Sequence, residues 1–158
     1  MYRIGLGNDI HRLEEGKPLI LGGVSIESEK GAVGHSDADC LTHAVTDAIL
    51  GALALGDIGT HFSDKDERWR GVESFVFLRY TVGLMKEKGF AVVNVDTTVS
   101  LETPRLRPFI EAMRENLANA LEIETACVSV KAKTGEKVDA VGRSEAIRTD
   151  AIVLLREA

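Results

Sequence analysis

The hydrophobic periodicity of the chain changes near Ser36, and this change narrows the possible folds more than any other feature. Over residues 2–11, apolar side chains occupy the even positions except at Asn8, while odd positions are polar or small, which is typical of a half-buried strand. From Leu41 to Leu53 the apolar residues recur at helical spacing, and Gly56 is expected to end the helix. A strand followed by an apolar helix predicts a sheet covered by helices.

The rest of the chain continues this mixture of strands and helices. The remaining predicted elements are a hairpin at 18–26, helices at 72–88 and 106–121, and strands at 91–101, 126–133 and 146–156. No linker or repeat indicates a domain boundary, so residues 1–158 are expected to form a single domain. The predicted fold class is α/β, an α+β sandwich with a mixed, mainly four-stranded sheet, helices on one face and a small hairpin.

Composition excludes several classes of partner. With a net charge of −6 and no run of Lys and Arg, the chain has no basic face for nucleic acid. The N-terminus lacks the features of a signal peptide, and the longest apolar region, 44–55, is too short to cross a bilayer. Two cysteines are too few for a disulfide framework, so we expect a cytoplasmic protein without nucleic-acid or membrane partners.

Three residues could form a metal site. Asp9 and His11 are two residues apart, so on a strand both side chains leave the same face. His43 is the best third ligand, because it interrupts the most apolar helix between Asp39 and Asp47, and three protein ligands are typical of catalytic Zn²⁺ sites. The alternatives are a polar strand edge for the first two residues and a solvent-facing stripe on the helix for the others.

The loops on either side of this helix carry further polar residues. Ser36 and Asp39 resemble a capping box for the helix start. A cap does not account for His35, whose neutral ring beside a helix N-terminus would suit an anion or a metal-bound group. The aspartates in 57–59 and 62–66 are either turn formers or acceptors for substrate hydroxyls or a cation.

Two basic segments lie in the second half of the chain. The segment 131–137 combines lysines with Thr134 and Glu136, a mixture that suits phosphate oxygens and a divalent ion. The segment 103–108 is a helix entry with Arg105 and Arg107. Exposed turns have the same composition, so neither segment by itself indicates a site.

Together, these motifs resemble the 2-C-methyl-D-erythritol 2,4-cyclodiphosphate synthase family over essentially the whole chain. The segments with the family's order and spacing are Asp9-Ile10-His11, Gly34-His35-Ser36-Asp37-Ala38-Asp39, His43, Asp57-Ile58-Gly59, Phe62 to Asp66, Pro104 and Lys131 to Arg143. The combination is far more specific than any one motif. Ser63 departs from the family pattern, which usually has proline there.

The resemblance implies a homotrimer with active sites between subunits, acting in the non-mevalonate route to isoprenoid precursors. The 2-phosphate of 4-diphosphocytidyl-2-C-methyl-D-erythritol 2-phosphate would attack the β-phosphorus of the cytidine diphosphate arm and release CMP. By position, Asp9, His11 and His43 are the implied Zn²⁺ ligands, and Glu136 is the implied protein ligand of Mg²⁺ or Mn²⁺. His35 and Thr134 are the implied transition-state stabilisers.

The resemblance also implies the substrate-binding residues. Those for the methylerythritol part are Asp57, Ile58, Gly59, Phe62, Ser63, Asp64, Lys65 and Asp66. Those of the cytidine diphosphate pocket are Leu101, Glu102, Thr103, Pro104, Arg105, Leu106, Arg107, Lys133, Thr134, Gly135 and Glu136. The remaining implied contacts are Asp9, Ile10, His11, His35, Ser36, Ala140 and Arg143.

The implied reaction fits the absence of any evident Ser-His or Cys-His nucleophile pair in the motifs. The attacking phosphate is already ionised near neutral pH, so no general base is needed, and cations must offset the repulsion between the phosphoryl groups. Two alternative functions remain. A metal-dependent nucleotide hydrolase would release CMP without a cyclic product, and a non-catalytic trimeric binding module would release none.

Overall fold

The computed structural model describes residues 1–158, which form a five-stranded sheet, a separate two-stranded hairpin and five helices. The strands are β1 Tyr2–Glu15, β2 Leu19–Leu21, β3 Val24–Ile26, β4 Lys30–Ala32, β5 Phe90–Ser100, β6 Val128–Lys133 and β7 Ala146–Glu157. The helices are α1 Cys40–Ala52, α2 Ile58–His61, α3 Ser74–Glu87, α4 Ile110–Leu121 and α5 Asp139–Gly142. None of the helices has the length and apolar character needed to cross a membrane.

The strand order of the main sheet is β4-β1-β7-β5-β6. All neighbouring strands are antiparallel except β5 and β6, whose parallel pairing requires a crossover that α4 occupies. The helix α1 packs on β1 and β7, α3 packs on α1, and α4 packs on β6. A core of 34 buried residues lies between sheet and helices, so the predicted sandwich is confirmed, with β4 as an additional short strand.

The start of α1 differs from the sequence-based expectation. The capping box predicted for Ser36 and Asp39 is wrong, because Asp39 itself is the N-cap residue. Its carboxylate accepts hydrogen bonds from Thr42 in the first turn and from the backbone N–H groups of Gly22 and Gly23. Burial raises the pKa of Asp39, although these hydrogen bonds oppose the shift. Asp39 therefore joins the hairpin to α1 and does not belong to a solvent-facing stripe.

The buried side of β1 is the side with small residues. Gly5 and Gly7 face α1, and a Cβ added to Gly7 would lie 2.0 Å from the carbonyl oxygen of Ala44. Only glycine fits here, because the helix backbone lies directly against the strand. The apolar residues of the other face are exposed, namely Tyr2, Ile4, Leu6 and Ile10. The predicted half-buried strand is thus present, but in the single chain its apolar face is exposed to solvent and its glycine face is buried.

Replacing Gly7 by alanine is expected to lower the free energy of unfolding by about 1–3 kcal/mol, because the added methyl group must push α1 away from β1. Gly83→Ala is the control, since a Cβ at this position in α3 meets nothing within 4 Å. Alanine there is expected to raise the free energy of unfolding by about 0.5–1 kcal/mol. Urea denaturation measures both changes, and equal changes would contradict the close contact.

Candidate metal centre

Asp9, His11 and His43 meet where β1 passes the first turn of α1. Asp9 Oδ2 lies 2.8 Å from His11 Nε2 and 3.0 Å from His43 Nδ1, and these ring nitrogens are 3.2 Å apart. One ligand atom from each residue lies within 4.8 Å of the others. The structure therefore brings together the three residues that the sequence predicts as metal ligands.

The spacing of these atoms fits a tetrahedral zinc site. Bonds of about 2.0–2.1 Å from Zn²⁺ to nitrogen or oxygen place neighbouring ligand atoms about 3.3 Å apart at tetrahedral angles. The 3.2 Å between His11 Nε2 and His43 Nδ1 agrees with this value, while Asp9 Oδ2, at 2.8 and 3.0 Å from these nitrogens, would have to move slightly outwards to bind the same ion. Three protein ligands leave one position for an oxygen of a bound ligand, which is the arrangement of a catalytic site.

The cluster carries an ionised carboxylate. Burial raises the pKa of Asp9, but the hydrogen bonds and charges of His11 and His43 outweigh this effect and lower it to about 2. Burial lowers the pKa of His11, while the contact with Asp9 raises it, and the net direction is upward. A bound cation must displace any proton held by these rings, because histidine binds metal through a deprotonated nitrogen.

The backbone before α1 positions His11. His11 Nδ1 lies 2.8 Å from the carbonyl oxygen of Val33, so this nitrogen donates and Nε2 faces the cluster. The next residue is Gly34, where a Cβ would lie 3.0 Å from His11 Cε1. Glycine at this position lets the backbone pass close to the ring without displacing it.

The segments predicted to bind the methylerythritol part are connected to α1 and His35. Asp47, one turn beyond His43, accepts a 2.7 Å hydrogen bond from the backbone N–H of Ile58. His35 Nε2 donates to the carbonyl oxygen of Asp66 at 3.0 Å, which joins it to the 62–66 loop. The structure therefore places 57–59 and 62–66 on the same side of the molecule as the metal ligands.

The two segments predicted as the cytidine diphosphate pocket also meet. Leu101 donates a 2.9 Å backbone hydrogen bond to Lys133, and Glu102 accepts one of 2.9 Å from the Gly135 N–H. The peptide between Thr103 and Pro104 is cis. The segments 101–107 and 133–136 are thus adjacent at the end of β5 and β6, although Leu101 and Leu106 are buried in the core.

Several cations on this surface are free to bind an anion. Lys131 Nζ lies 2.5 Å from the Asp96 carboxylate, which neutralises it. Arg143 pairs with Glu145 at 3.1 Å. Arg143 directly follows α5, the helix that contains Ala140. Within the segments 101–107 and 131–137, the cations that form no ion pair are Arg105, Arg107, Lys133 and Lys137. If the segment 131–137 binds phosphate, its free cations are therefore Lys133 and Lys137, and Lys131 is already paired.

Within one chain, this cationic surface is separated from the metal ligands. Asp9 aligns with Thr149 on β7, Val99 on β5 and Ala132 on β6, so both surfaces lie at the same end of the sheet. Three strand spacings of about 4.8 Å put β1 about 14 Å from β6. The Glu136 carboxylate accepts a hydrogen bond from the Thr134 hydroxyl, the Glu136 backbone N–H donates to the same hydroxyl, and Glu136 makes no hydrogen bond with Asp9, His11 or His43.

Two residues beside the metal centre were missed by the sequence reasoning. His43 Nε2 lies 2.7 Å from Ser74 Oγ, and Ser74 in turn donates to Asp37. Ser74 is a single serine at the start of α3, and nothing in the surrounding sequence indicates that it contacts His43. Asp37 lies within the 35–39 motif, but there it was indistinguishable from a capping residue.

The fold and the site together define a class, an α/β protein with an Asp-His-His cluster that could hold a metal ion at one end of a mixed sheet, and with basic residues on the strands across it. A sequence model of the YgbB family matches residues 2–156, and the chain belongs to that family.

Close relatives carry the family's named activity. The chain is 54% identical over 155 residues to 2-C-methyl-D-erythritol 2,4-cyclodiphosphate synthase of Solibacter usitatus, with 98% of each chain covered. It is 54% identical to the synthase of Laribacter hongkongensis, covering 98% of this chain and 95% of that one. These matches confirm the family predicted from the motifs.

Solved structures agree with this assignment. A synthase structure with bound CDP has a TM-score of 0.90 at 41% identity and covers 98% of this chain and 100% of that one. The Plasmodium falciparum IspF–CDP complex has a TM-score of 0.86 at 37% identity, with 99% and 96% covered. The bifunctional IspDF of Campylobacter jejuni has a TM-score of 0.96 at 37% identity, and the chain spans 43% of that longer protein.

His43→Ala is expected to abolish stoichiometric zinc binding, because two ligands no longer hold the ion in a closed arrangement. His61→Ala is the matched control, since His61 contacts the Leu55 carbonyl oxygen and lies outside the cluster. Metal analysis of the purified proteins should give about one zinc per chain for the wild type and the control. A full zinc content in His43→Ala would remove this residue from the site.

Proposed function

We propose that the protein converts 4-diphosphocytidyl-2-C-methyl-D-erythritol 2-phosphate into 2-C-methyl-D-erythritol 2,4-cyclodiphosphate and CMP, in the non-mevalonate route to isoprenoid precursors. The observation that carries the proposal is the Asp9, His11 and His43 cluster in a chain of this family. The named relatives and the CDP complexes of similar structures support the same chemistry.

The reaction is an intramolecular phosphoryl transfer. An oxygen of the 2-phosphate forms a bond to the β-phosphorus, and the bond from that phosphorus to the oxygen bridging it to the α-phosphorus breaks, so that CMP leaves. Because both groups belong to one substrate, holding it in a bent conformation brings the reacting atoms together without a second encounter.

Charge is the main obstacle to this reaction. Two unit negative charges 4 Å apart repel by about 4 kcal/mol at an effective dielectric constant of 20. When bound, Zn²⁺ on Asp9, His11 and His43, and Mg²⁺ or Mn²⁺ on Glu136 and the substrate phosphates, would neutralise phosphate oxygens and align the reacting groups. The unpaired cations Arg105, Arg107, Lys133 and Lys137 would bind the rest of the diphosphate arm.

Two hydrogen-bond donors and one carboxylate complete the proposed site. His35 and Thr134 would donate hydrogen bonds to oxygens that gain charge in the transition state, in place of their contacts with the Asp66 carbonyl and Glu136. Asp57 would hold the methylerythritol hydroxyls: its Oδ1 accepts from Thr60, while its Oδ2 has no partner in the chain. The hydrogen bonds from Thr60 lower the pKa of Asp57, so its carboxylate is an acceptor at neutral pH.

We also propose that three chains assemble around a threefold axis and share their active sites. Two features support this: the distance of about 14 Å between β1 and β6 within one chain, and the exposed apolar face of the sheet. Leu6 and Ile152 are 64% and 50% exposed and pair across β1 and β7, so the apolar residues form one patch. A second copy on this patch would cover it and bring its own Glu136 towards the first copy's metal centre.

Residues 1–158 would act as a single catalytic domain, since one buried core connects the sheet to all three long helices. The cytoplasm is our proposed location, in keeping with Cys40 and Cys127, which are both free thiols.

Product identification tests the reaction. Incubation of the zinc-loaded protein with the cytidylyl substrate and Mg²⁺ is expected to yield equal amounts of CMP and a cyclic diphosphate. Phosphorus NMR distinguishes the cyclic product from linear phosphates. CMP accompanied by linear phosphates would indicate a hydrolase, and zinc binding without CMP release would indicate a binding module.

Shared active sites predict that two inactive variants rescue each other. His43→Ala and Glu136→Gln are each expected to lower turnover by about 100-fold or more. In trimers formed by co-expressing both variants in equal amounts, about one quarter of the sites would combine an intact His43 with a neighbour's intact Glu136. Turnover of the mixed trimers should therefore reach about a quarter of the wild-type value. Turnover no higher than the mean of the two variants would mean that each site lies within one chain.

A further inference from the structure

The two histidines of the metal centre are fixed by different partners. His11 Nδ1 donates to the backbone carbonyl of Val33, a partner that no substitution at position 33 removes. His43 points its Nδ1 at the cluster and its Nε2 at side chains, with Ser74 Oγ at 2.7 Å and Ser36 Oγ at 3.1 Å. The tautomer of His43 therefore depends on serine hydroxyls, which can either donate or accept.

Asp37 decides the direction of the Ser74 hydroxyl. Asp37 Oδ1 accepts a short hydrogen bond from Ser74 Oγ, and the other carboxylate oxygen accepts from the Ser74 backbone N–H at 3.1 Å. Asp37 Oδ1 also accepts from the Asp39 N–H at 3.2 Å. All these partners are donors, so both oxygens of Asp37 act as acceptors. Ser74 is fully buried at the first residue of α3, so water does not compete for its hydroxyl.

The remaining proton positions follow from this contact. A serine hydroxyl has one hydrogen, and Ser74 gives it to Asp37, so Ser74 Oγ can only accept from His43. His43 therefore donates to Ser74 from an Nε2–H, and this tautomer leaves the lone pair of Nδ1 for a cation. Asp9 Oδ2, 3.0 Å from Nδ1, favours the opposite tautomer, so the contact with Ser74 opposes the effect of Asp9. The Nε2–H tautomer is the one that a metal at the cluster needs.

Ser36 cannot make the same selection. Its Oγ lies 3.1 Å from His43 Nε2 and accepts weakly from the Ala38 N–H at 3.3 Å, but no carboxylate accepts its hydrogen. Its Oγ also lies 3.4 Å from Ser74 Oγ, so its hydroxyl hydrogen can be directed at either His43 or Ser74. Only the chain from Asp37 through Ser74 has a defined direction.

We infer that Asp37, acting through Ser74, is a positioning residue that selects the Nε2–H tautomer of His43 and so prepares Nδ1 to bind a divalent cation. Asp37 makes no hydrogen bond to Asp9, His11 or His43, and Ser74 contacts His43 only at Nε2, the ring nitrogen that faces away from the cluster. Their effect on the reaction therefore passes through His43. Hydrogen-bonded partners behind a metal ligand commonly change metal affinity by about 10–100-fold. The inference rests on the proposed metal centre.

The tautomer can be observed without any variant. Nitrogen-15 NMR of the metal-free wild-type protein at about pH 8.5, above the ordinary histidine pKa of about 6.5, reports which ring nitrogen carries the hydrogen. The Nε2–H form is expected to predominate for His43. Predominance of Nδ1–H would overturn the inference, whatever the variants do.

Ser74→Ala tests the function of the contact, with Glu73→Gln as the matched control one residue earlier. Glu73 is exposed at the N-cap of α3 and its side chain makes no capping hydrogen bond. Competition with a chromophoric chelator measures Zn²⁺ affinity, which should fall by about 10–100-fold in Ser74→Ala and stay unchanged in the control. The NMR spectrum of folded Ser74→Ala should show a loss of the Nε2–H preference.

The combined variant separates a positioning role from a structural one. If Asp37 acts through Ser74, then Asp37→Asn in the Ser74→Ala background should cause little further loss of Zn²⁺ affinity, whereas independent effects would add. Additive losses, or a wild-type affinity and tautomer in Ser74→Ala, would overturn the inference. A wild-type protein that binds no Zn²⁺ would instead refute the metal centre itself.

Discussion

The contact between the backbones of β1 and α1 is the interaction on which the rest of the site depends. Gly5 and Gly7 have no side chain, so Ala44 and Ala48 of the helix lie directly on the strand. This short distance is what lets His43, from the helix, reach Asp9 and His11 on the strand. Side chains at the glycine positions would separate the two elements and move one ligand away from the other two.

An acidic protein that binds a highly anionic substrate needs local sources of positive charge. The net charge of −6 is spread over the surface, where salt screens it, whereas the proposed sources of positive charge are concentrated in two places. One is the cluster of Asp9, His11 and His43, which would supply positive charge when it holds a metal ion. The histidines lower the pKa of Asp9 to about 2, so its carboxylate is ionised and available to bind that ion. The other is the group of unpaired Arg and Lys residues at the opposite edge of the sheet. Assembly of several chains would bring these two regions together.

Sequence reasoning found the long strands and helices and the three residues that cluster at the end of β1, because both depend largely on local spacing. The i, i+2 spacing of Asp9 and His11 places them on one face of any strand. It failed where a contact is distant in the sequence. Ser74 lies 31 residues from His43, and Asp39 accepts from Gly22, 17 residues away. The polar residues on α1 looked like one stripe, but Asp39 joins the hairpin, His43 faces the metal site and Asp47 holds Ile58.

The sequence by itself determined the family, the order of the long strands and helices, and the residues available for metal and phosphate chemistry, because motif spacing and hydrophobic period depend on the sequence alone. The short elements β4, α2 and α5 were not predicted from it. Only the tertiary structure decided which face of β1 is buried. The alternation of residues is the same for either face, and the choice depends on the shape of α1, which fits against glycine and not against isoleucine or leucine. The tertiary structure also decided which nitrogen of His43 faces the cluster, since a tautomer depends on partners that folding brings into contact.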